Sequence, residues 1–285
     1  MKTLLLTGAT GSIGGEVLRC LSGQNHSLRA LVRDVSKAQN LAPHAQLVAG
    51  DFADISSLEK ALSGVDAAFL VSANTPDQRD LELNFVRAAH ASGVRRLVKL
   101  SVMAAGAIPD SPFQVLHREV EREIEDLGFD FTHLRPNMLM QNMRWFLPTM
   151  RESGAFFHIL GDTPVSHADA RDVAEVAARC LTENGHENRA YTLTGAEALN
   201  FSQVAALFSQ ALEKPVQYVD VSAAQMKAAR AANGEPEPYL DAEIALFQAW
   251  NRGFGSEITD EMPRILGRNA TTFAQFVPEF VAKNR

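Results

Sequence analysis

Three glycines stand at every third position near the start of the chain, directly after a short apolar run. The run is Thr3–Leu6, and the glycines are Gly8, Gly11 and Gly14. Apolar residues then recur at helical spacing from Ile13 onward. A strand, a glycine turn and a helix N-terminus in this order can hold phosphates, because backbone N–H groups and the positive end of the helix dipole face the ligand. The pattern predicts a dinucleotide-binding site, with an ordinary glycine-rich turn as the alternative.

Each glycine has a separate physical role in such a turn. Gly8 permits the tight turn, Gly11 lets a pyrophosphate approach the backbone, and Gly14 lets the helix pack closely on the strand. The residues predicted to line the phosphates are Gly8, Thr10, Gly11, Ser12, Ile13 and Gly14.

Behind the turn, apolar runs alternate with helical patterns as far as residue 134. The runs predicted as strands are Leu28–Val32, Gln46–Ala49, Ala67–Val71, Leu97–Ser101 and Phe131–Leu134. Near-continuous apolar strands that alternate with helices are typical of a parallel sheet covered on both faces. The predicted fold class is therefore α/β, a doubly wound parallel Rossmann sheet with a smaller mixed α/β substrate domain.

The regular alternation breaks after Leu134, and this break sets the predicted domain boundaries. We assign residues 1–135 and about 166–194 to the Rossmann domain. Residues of about 136–165 and 195–285 are assigned to a smaller C-terminal substrate domain, or cap, that closes over the strand ends.

Arg33 is the residue most informative about the type of dinucleotide. Ligands of open α/β sheets bind beyond the carboxyl ends of the strands, and Arg33 follows the second strand. An Asp or Glu there would accept from the ribose 2′-hydroxyl of NAD, whereas an Arg can bind the 2′-phosphate of NADP. The cofactor is therefore predicted to be NADP, with NADPH preferred over NADH. The alternative is a surface Arg33 paired with Asp34.

The residues after the next three strands are predicted to lie along the same cofactor. Asp51 and Phe52 suit the adenine edge, with helix capping by Asp51 as an equal alternative. Small side chains after the fourth strand let the backbone approach the ribose, and the fifth strand ends where the nicotinamide is expected. The residues at these two positions are Val71, Ser72, Ala73 and Lys99.

The helix after the fifth strand carries His117 and Glu121, the candidate catalytic residues. A four-residue step places both on one face of the helix, where the carboxylate can orient the imidazole or raise its pKa. The alternative is a structural histidine packed near the sheet.

Together these features resemble the NmrA-like family of atypical short-chain dehydrogenases/reductases, in particular its bacterial NAD(P)H:quinone oxidoreductases and triphenylmethane reductases. The loop Gly8–Gly14, Arg33, the His117/Glu121 pair and the stretch Thr132–Asn142 carry the resemblance. His117 is similar in place to a histidine of that branch. The Tyr-x-x-x-Lys acid/base pair of the superfamily is missing, since all three tyrosines lie beyond residue 190.

The resemblance implies an NADPH-dependent reductase that transfers hydride to a quinone-like or other conjugated small-molecule acceptor. Such acceptors need little protonation in the rate-setting step, so the protein contributes mainly orientation. Met and aromatic side chains suit flat ligands, and Asn137 and Gln141 can donate to a carbonyl oxygen. The predicted substrate pocket consists of Phe113, Asn137, Met138, Gln141 and Trp145, with Met140, Met143 and Phe146 beside them. Core packing is the alternative for each side chain.

The same family contains members that bind dinucleotide and act as regulators without turnover. The alternative function is therefore an NADP(H)-sensing protein whose output is a protein partner. The missing Tyr-x-x-x-Lys pair argues against a sugar-nucleotide epimerase or dehydratase.

Composition narrows the partners and the compartment. The chain of 285 residues has a formal charge of −7 and no dense Lys/Arg run, so no nucleic-acid contact is expected. No apolar stretch reaches membrane length, and residues 1–6 indicate a strand instead of a signal sequence. Cys20 and Cys180 lie on apolar helical faces and predict free thiols. We therefore expect a cytoplasmic monomer or homodimer that binds neither a membrane nor a metal.

Overall fold

A computed structural model of the chain describes residues 1–108 and 110–284. Pro109 and Arg285, which fall inside the two predicted domains, lie outside the described residues. The strands in chain order are β1 (Lys2–Leu6), β2 (His26–Val32), β3 (Gln46–Ala49), β4 (Ala67–Leu70), β5 (Arg96–Leu100), β6 (Asp130–Pro136), β7 (Ala155–His158), β8 (Arg189–Leu193) and β9 (Gln217–Asp220).

Helices follow most of the strands. They are α1 (Ser12–Leu21), α2 (Ile55–Leu62), α3 (Gln78–Ala91), α4 (Pro112–Asp126), α5 (Leu147–Ser153), α6 (Ala170–Thr182), α7 (Phe201–Leu212), α8 (Ala223–Ala232), α9 (Glu237–Ala249), α10 (Glu261–Leu266) and α11 (Phe273–Lys283). The segments Val35–Leu41 and Met140–Trp145 are 3₁₀ helices, and Trp250–Phe254 is a π-helical turn. None of the described helices is both long and apolar enough to cross a membrane.

The main sheet of the described chain has seven strands in the order β3-β2-β1-β4-β5-β6-β8. Strand β1 pairs in parallel with β2 and β4, and the pairs β2–β3, β4–β5 and β5–β6 are also parallel. Strand order reverses between β1 and β4, so the carboxyl ends of these two strands flank the point where ligands of such sheets bind. The predicted doubly wound α/β fold is confirmed.

The central strands are apolar on both faces because helices cover both faces of the sheet. Leu4, Leu5 and Leu6 of β1 are fully buried, and so is every residue of β4. A strand with one face in water would alternate apolar and polar residues instead. Burial on both faces therefore explains why these runs could be read as strands from the sequence.

The chain divides into two compact units. The first comprises Met1–Val102, Leu116–Arg135 and Ala170–Tyr191. The second comprises Met103–Val115, Pro136–Asp169 and Thr192–Arg285. Residues 103–115, 166–169 and 192–194, which the sequence analysis assigned to the Rossmann domain, thus belong to the second unit.

Aromatic side chains fill the core of the second unit. Strands β7 and β9 pair in parallel, and the buried ring of Phe156 in β7 lies 5.4 Å from the ring of Phe201. Phe157, the next residue along β7, is 48% exposed. Successive strand residues face opposite sides, so only one face of β7 packs on this core.

Phe156→Ala tests which face of β7 carries the core. Truncating this buried ring removes apolar contacts and leaves a cavity, so we expect the free energy of unfolding to fall by about 3–5 kcal/mol. Phe157→Ala is the matched control, because the same truncation at an exposed ring should change that free energy by less than about 1 kcal/mol. Urea unfolding of both variants measures the difference, and equal losses would contradict this assignment of the core.

Candidate active site

The turn after β1 requires glycine at two of the three predicted positions. Gly8 has a left-handed backbone with φ of +59°, and a Cβ added there would lie 2.6 Å from Val71 Cγ1. A Cβ at Gly14 would lie 2.2 Å from the carbonyl oxygen of Gly8. The Thr7 hydroxyl ties this turn to β4, 2.8 Å from both the backbone N and O of Val71. Turn and helix approach this closely only because the two side chains are absent.

Helix α1 begins directly behind this turn with an open N-terminus. Gly11 is the N-cap residue and has no side chain to form a capping hydrogen bond. The first turn of α1 contains no acidic residue, and Thr10, Gly11 and Ser12 are exposed. The partial positive charge of the helix end therefore faces solvent, an arrangement that binds phosphate groups. Ile13 is buried and supports the turn from within the core.

Arg33 is exposed at the carboxyl end of β2. Its neighbour Asp34 caps the following 3₁₀ helix, accepting hydrogen bonds from Ser36 N at 2.9 Å and Ser36 Oγ at 2.6 Å. Lys37 lies 3.6 Å from the same carboxylate. The hydrogen bonds from Ser36 are the main cause that lowers the pKa of Asp34. In the described part of the chain no carboxylate pairs with Arg33, so the alternative of an Arg33–Asp34 surface pair is wrong.

Asp51 and Phe52 follow β3, and both make local contacts. The exposed Asp51 accepts a hydrogen bond from Ala53 N at 2.9 Å, which shapes the turn before α2. Asp54 provides the N-cap of α2, so the capping alternative for Asp51 is wrong. The ring of Phe52 is half-buried against the core of the first unit.

A buried ion pair joins α3 to β5 near the carboxyl end of the sheet. Lys99 Nζ lies 2.6 Å from Glu82 Oε2, and neither side chain is more than 1% exposed. The other oxygen of Glu82 accepts from Ser72 Oγ at 2.7 Å and from Gln78 Nε2 at 3.1 Å. Burial acts to raise the pKa of Glu82, but the charge of Lys99 and the hydrogen bonds from Lys99 and Ser72 help to outweigh burial, and the pKa is lowered. Glu82 is therefore an ionised, fully paired carboxylate.

The contacts of Lys99 correct its predicted role as a cofactor ligand. An ammonium group has three N–H donors, and one of those on Lys99 faces Glu82. The other two face the carbonyl oxygen of Leu100 at 3.1 Å and His117 Nδ1 at 3.0 Å. All three donors are used inside the protein, so the ammonium is not available to a cofactor.

His117 of α4 contacts Lys99 and not Glu121. Burial, followed by the charge of Lys99, lowers the pKa of His117 to about 3, although Glu82 and Glu121 act in the opposite direction. Glu121 thus acts to raise the pKa of this imidazole, as predicted, but burial and the charge of Lys99 outweigh it. His117 is neutral at physiological pH.

Glu121 is paired with Arg135 of β6. Arg135 donates from Nε to Oε1 at 2.9 Å and from Nη2 to Oε2 at 2.6 Å. The Ser101 hydroxyl, directly after β5, donates to Oε1 at 2.6 Å. Burial acts to raise the pKa of Glu121, but opposing contributions led by Arg135 lower it to about 2. Glu121 is a buried anion that anchors the ends of β5 and β6, which corrects its predicted pairing with His117.

Glu121, Glu125 and His133 bring potential ligand atoms within 4.8 Å of one another. Arg118 donates to both oxygens of Glu125, at 2.6 and 3.0 Å. Because Arg118 and Arg135 already neutralise the two carboxylates, this group is an ion-pair network. We assign no metal to it.

In the second unit, Asn137 was predicted to contact the substrate, but its side chain forms hydrogen bonds within the protein instead. Its amide Nδ2 donates to Ser166 Oγ at 2.9 Å and to the carbonyl oxygen of Gly255 at 2.8 Å. Its Oδ1 accepts from Met138 N at 2.8 Å and from Trp250 Nε1 at 3.0 Å. An Asn side chain has two N–H donors, and both are used here. Buried Asn137 therefore holds the second unit together and has no donor left for a substrate carbonyl.

The remaining predicted pocket residues fall into buried and accessible groups. Gln141 donates to Asp169 Oδ1 at 2.7 Å. Met140 and Met143 are buried in the core of the second unit, so the core alternative is correct for these two. The side chains that keep solvent access are Phe113, Met138, Trp145 and Phe146. Phe113 packs edge-on against Tyr239. Trp145 is 58% exposed and lies beneath the guanidinium of Arg144.

Glu82, the anion of the buried pair, was not among the residues predicted from the sequence. A signal was present, because Lys99 stands inside an apolar run and a buried ammonium needs a buried anion. The helix that precedes β5 along the chain carries Gln78 and Glu82 four residues apart, hence on one face. The apolar Phe85 on the same face indicates that this face is buried, so Glu82 could have been predicted as the anion that pairs with Lys99.

The chain is similar to known reductases over almost its whole length. The model of the NmrA-like family matches residues 1–253. An NAD(P)H azoreductase of Xenophilus azovorans is 38% identical over 282 residues, which cover 98% of this chain and 98% of that protein.

Two solved structures share the fold across both units. The NADPH-dependent quinone oxidoreductase of Escherichia coli, solved with NADPH, is 29% identical, with a TM-score of 0.88 over 98% of this chain and 99% of that chain. The triphenylmethane reductase of Citrobacter sp., solved with NADP(H), is 28% identical, with a TM-score of 0.86 over 98% of this chain and 100% of that chain. The resemblance predicted from the glycine loop, Arg33 and the His117 region is confirmed.

Lys99→Met tests the buried ion pair. The substitution leaves the Glu82 carboxylate buried without its cation, so we expect the free energy of unfolding to fall by about 3–5 kcal/mol. Adding Glu82→Gln to this variant removes the unpaired negative charge and should restore part of the lost free energy of unfolding. The control is Arg87→Met, which breaks an exposed pair with Glu123 and should change the free energy by less than about 1 kcal/mol. Denaturant titration measures the free energy of unfolding of each variant. If Lys99→Met lost no more of it than Arg87→Met, Lys99 and Glu82 would not form a buried ion pair.

Proposed function

The chain belongs to the NmrA-like family, and we propose that it is an NADPH-dependent reductase that transfers hydride to a quinone-like or other conjugated small-molecule acceptor. The observation that carries this proposal is the turn between β1 and α1. Its geometry excludes a Cβ at Gly8 and Gly14 and leaves the N-terminus of α1 open, beside the switch point of the sheet. That combination fits a dinucleotide pyrophosphate.

We propose that the residues after β2, β3 and β4 extend this site along the cofactor. The guanidinium of Arg33, unpaired among the described side chains, would hold the 2′-phosphate through charge-assisted hydrogen bonds. Asp51 and Phe52 would border the adenine, and the backbone of Val71, Ser72 and Ala73 would run beside the ribose. These positions all lie at one edge of the sheet, because parallel strands end on the same side.

The acceptor class follows from what the relatives have in common. Azo compounds, quinones and triphenylmethane dyes differ in shape and charge, but all are conjugated and accept a hydride readily. A bound reduced nicotinamide supplies that hydride, and the protein binds and orients the reactants. The absence of a Tyr-x-x-x-Lys pair agrees with acceptors that need little help with protonation.

We propose that the accessible apolar side chains of the second unit contact such acceptors. Phe113, Met138 and Trp145 are partly or largely exposed, and Met and aromatic side chains adapt to flat ligands of varied outline. Gln141 would add one polar contact. We further propose that the protein acts in the cytoplasm as a monomer or homodimer, which agrees with its two free cysteines.

Turnover is the direct test of this function. Purified protein with NADPH and a naphthoquinone, an azo dye or a triphenylmethane dye should lose reduced-nicotinamide absorbance with at least one acceptor. Gly14→Ala should abolish the loss, because the added Cβ meets the Gly8 carbonyl oxygen. Gly15→Ala, one residue further along α1, is the matched control with a Cβ 3.2 Å from its nearest neighbour. NADPH binding without oxidation by any acceptor would favour a sensing protein and contradict the reductase.

Arg33→Ala tests cofactor selection separately from turnover. Loss of hydrogen bonds to a phosphate should raise the Kd for NADPH by about 10- to 100-fold and leave the Kd for NADH within about twofold. Lys37→Ala is the control, since it removes an equally positive, 84% exposed side chain from the same surface. Fluorescence titration with both cofactors measures the constants. Equal losses in the two variants would show a general effect of charge and contradict recognition by Arg33.

A further inference from the structure

We infer that Glu82 and Lys99 are positioning residues that keep His117 in the tautomer with its proton on Nε2, so that the ring offers a neutral N–H donor at that atom. The functional part of this inference rests on the proposed reductase activity. The tautomer itself is independent of that activity and can be measured without it.

The donors of the Lys99 ammonium determine which nitrogen of His117 carries the proton. An ammonium group only donates, so the contact of 3.0 Å between Lys99 Nζ and His117 Nδ1 requires Nδ1 to accept. A neutral imidazole carries one proton, which must then be on Nε2. The contact therefore selects one tautomer, just as a carbonyl oxygen facing Nδ1 would select the other.

The carboxylate of Glu82 determines whether Lys99 or His117 keeps the proton between them. Glu82 Oε2 lies 2.6 Å from Lys99 Nζ, and both groups are buried, so transfer of a proton from Lys99 to His117 would leave the carboxylate without its cation. An unpaired charge in such a place is strongly unfavourable. The ion pair therefore holds the proton on Lys99 and keeps His117 neutral. Ser72 and Gln78 fix the carboxylate from its other side.

Three charged groups among the described residues face the ring of His117, each from a neighbouring element or from its own helix. Lys99 comes from β5, Glu82 from α3 and Glu121 from the same helix as His117. Glu121 is fully engaged by Arg135 and Ser101, so it does not compete for Nδ1. No described residue forms a hydrogen bond with Nε2, which leaves that N–H for a ligand.

The consequence for the reaction is a fixed donor in place of a proton shuttle. A neutral N–H at Nε2 can stabilise negative charge that develops on a reduced oxygen or nitrogen, and the ring keeps its proton throughout. The proton that completes the reduced acceptor then comes from water.

Nitrogen spectra of the ring test the tautomer. In ¹⁵N-histidine-labelled full chain, long-range ¹H–¹⁵N correlations distinguish Nδ1 from Nε2, and the His117→Gln spectrum identifies the signals among those of eight histidines. We expect Nε2–H, unchanged between about pH 5.5 and 8.5. A ring with Nδ1–H, or one that titrates in this range, would overturn the inference.

A charge-swap variant tests the cause. Glu82→Lys combined with Lys99→Glu keeps one buried ion pair but places an acceptor against Nδ1, so the tautomer should change to Nδ1–H. With an active acceptor, kcat should fall by about 10- to 100-fold while the Kd for NADPH stays within about twofold. Glu82→Gln with Lys99→Met, which carries no buried charge, is the second variant if the swap does not fold. Without the lysine donor, the ring should populate both tautomers.

The matched control swaps an exposed pair that joins α3, the helix of Glu82, to α4, the helix of His117. Arg87 of α3 and Glu123 of α4 lie 2.8 Å apart, and Arg87→Glu with Glu123→Arg should leave the spectra of His117 and kcat unchanged. If the tautomer is unaltered in the buried-pair variants, Glu82 and Lys99 are structural only and the inference fails. Failure of the proposed function has a different signature, namely no NADPH oxidation by the unaltered protein.

Discussion

The close approach of helix α1 to the turn after β1 is the constraint on which the site depends. Side chains at Gly8 and Gly14 would collide with Val71 and with the Gly8 carbonyl, so the turn exists only with glycine at both positions. The same approach brings the open end of α1 to the switch point of the sheet, where strand order reverses. A packing requirement and a binding requirement are thus met by the same two residues.

Buried charge organises the region beside that turn. The Glu82–Lys99 pair connects α3 with β5 and reaches His117 on α4, while Glu121 connects α4 with β6 through Arg135. Removing such charges from water is unfavourable, and each is compensated by a full set of partners. Networks of this kind fix side-chain orientation more strictly than apolar packing does, because each hydrogen bond has a direction as well as a distance.

The fold was predictable from the sequence to a large extent, and the site only in part. Apolar runs located the strands of the sheet because burial on both faces leaves a continuous pattern, and the glycine spacing located the turn. Helical periodicity placed His117 and Glu121 on one face but could not show that their partners, Lys99 and Arg135, come from different strands. The hydrogen bonds of Asn137 were equally out of reach, since Gly255 lies 118 residues further along the chain.

Arg33 differs from the other site residues in how little of the fold relies on it. It is exposed, follows the last residue of β2, and has no carboxylate partner among the described residues. Exchange of this one side chain would therefore leave the core and the buried charges untouched. Under the proposed role of Arg33, coenzyme preference would change with a single codon and with no compensating mutation in the core, whereas a side chain at Gly8 or Gly14 would displace the turn itself.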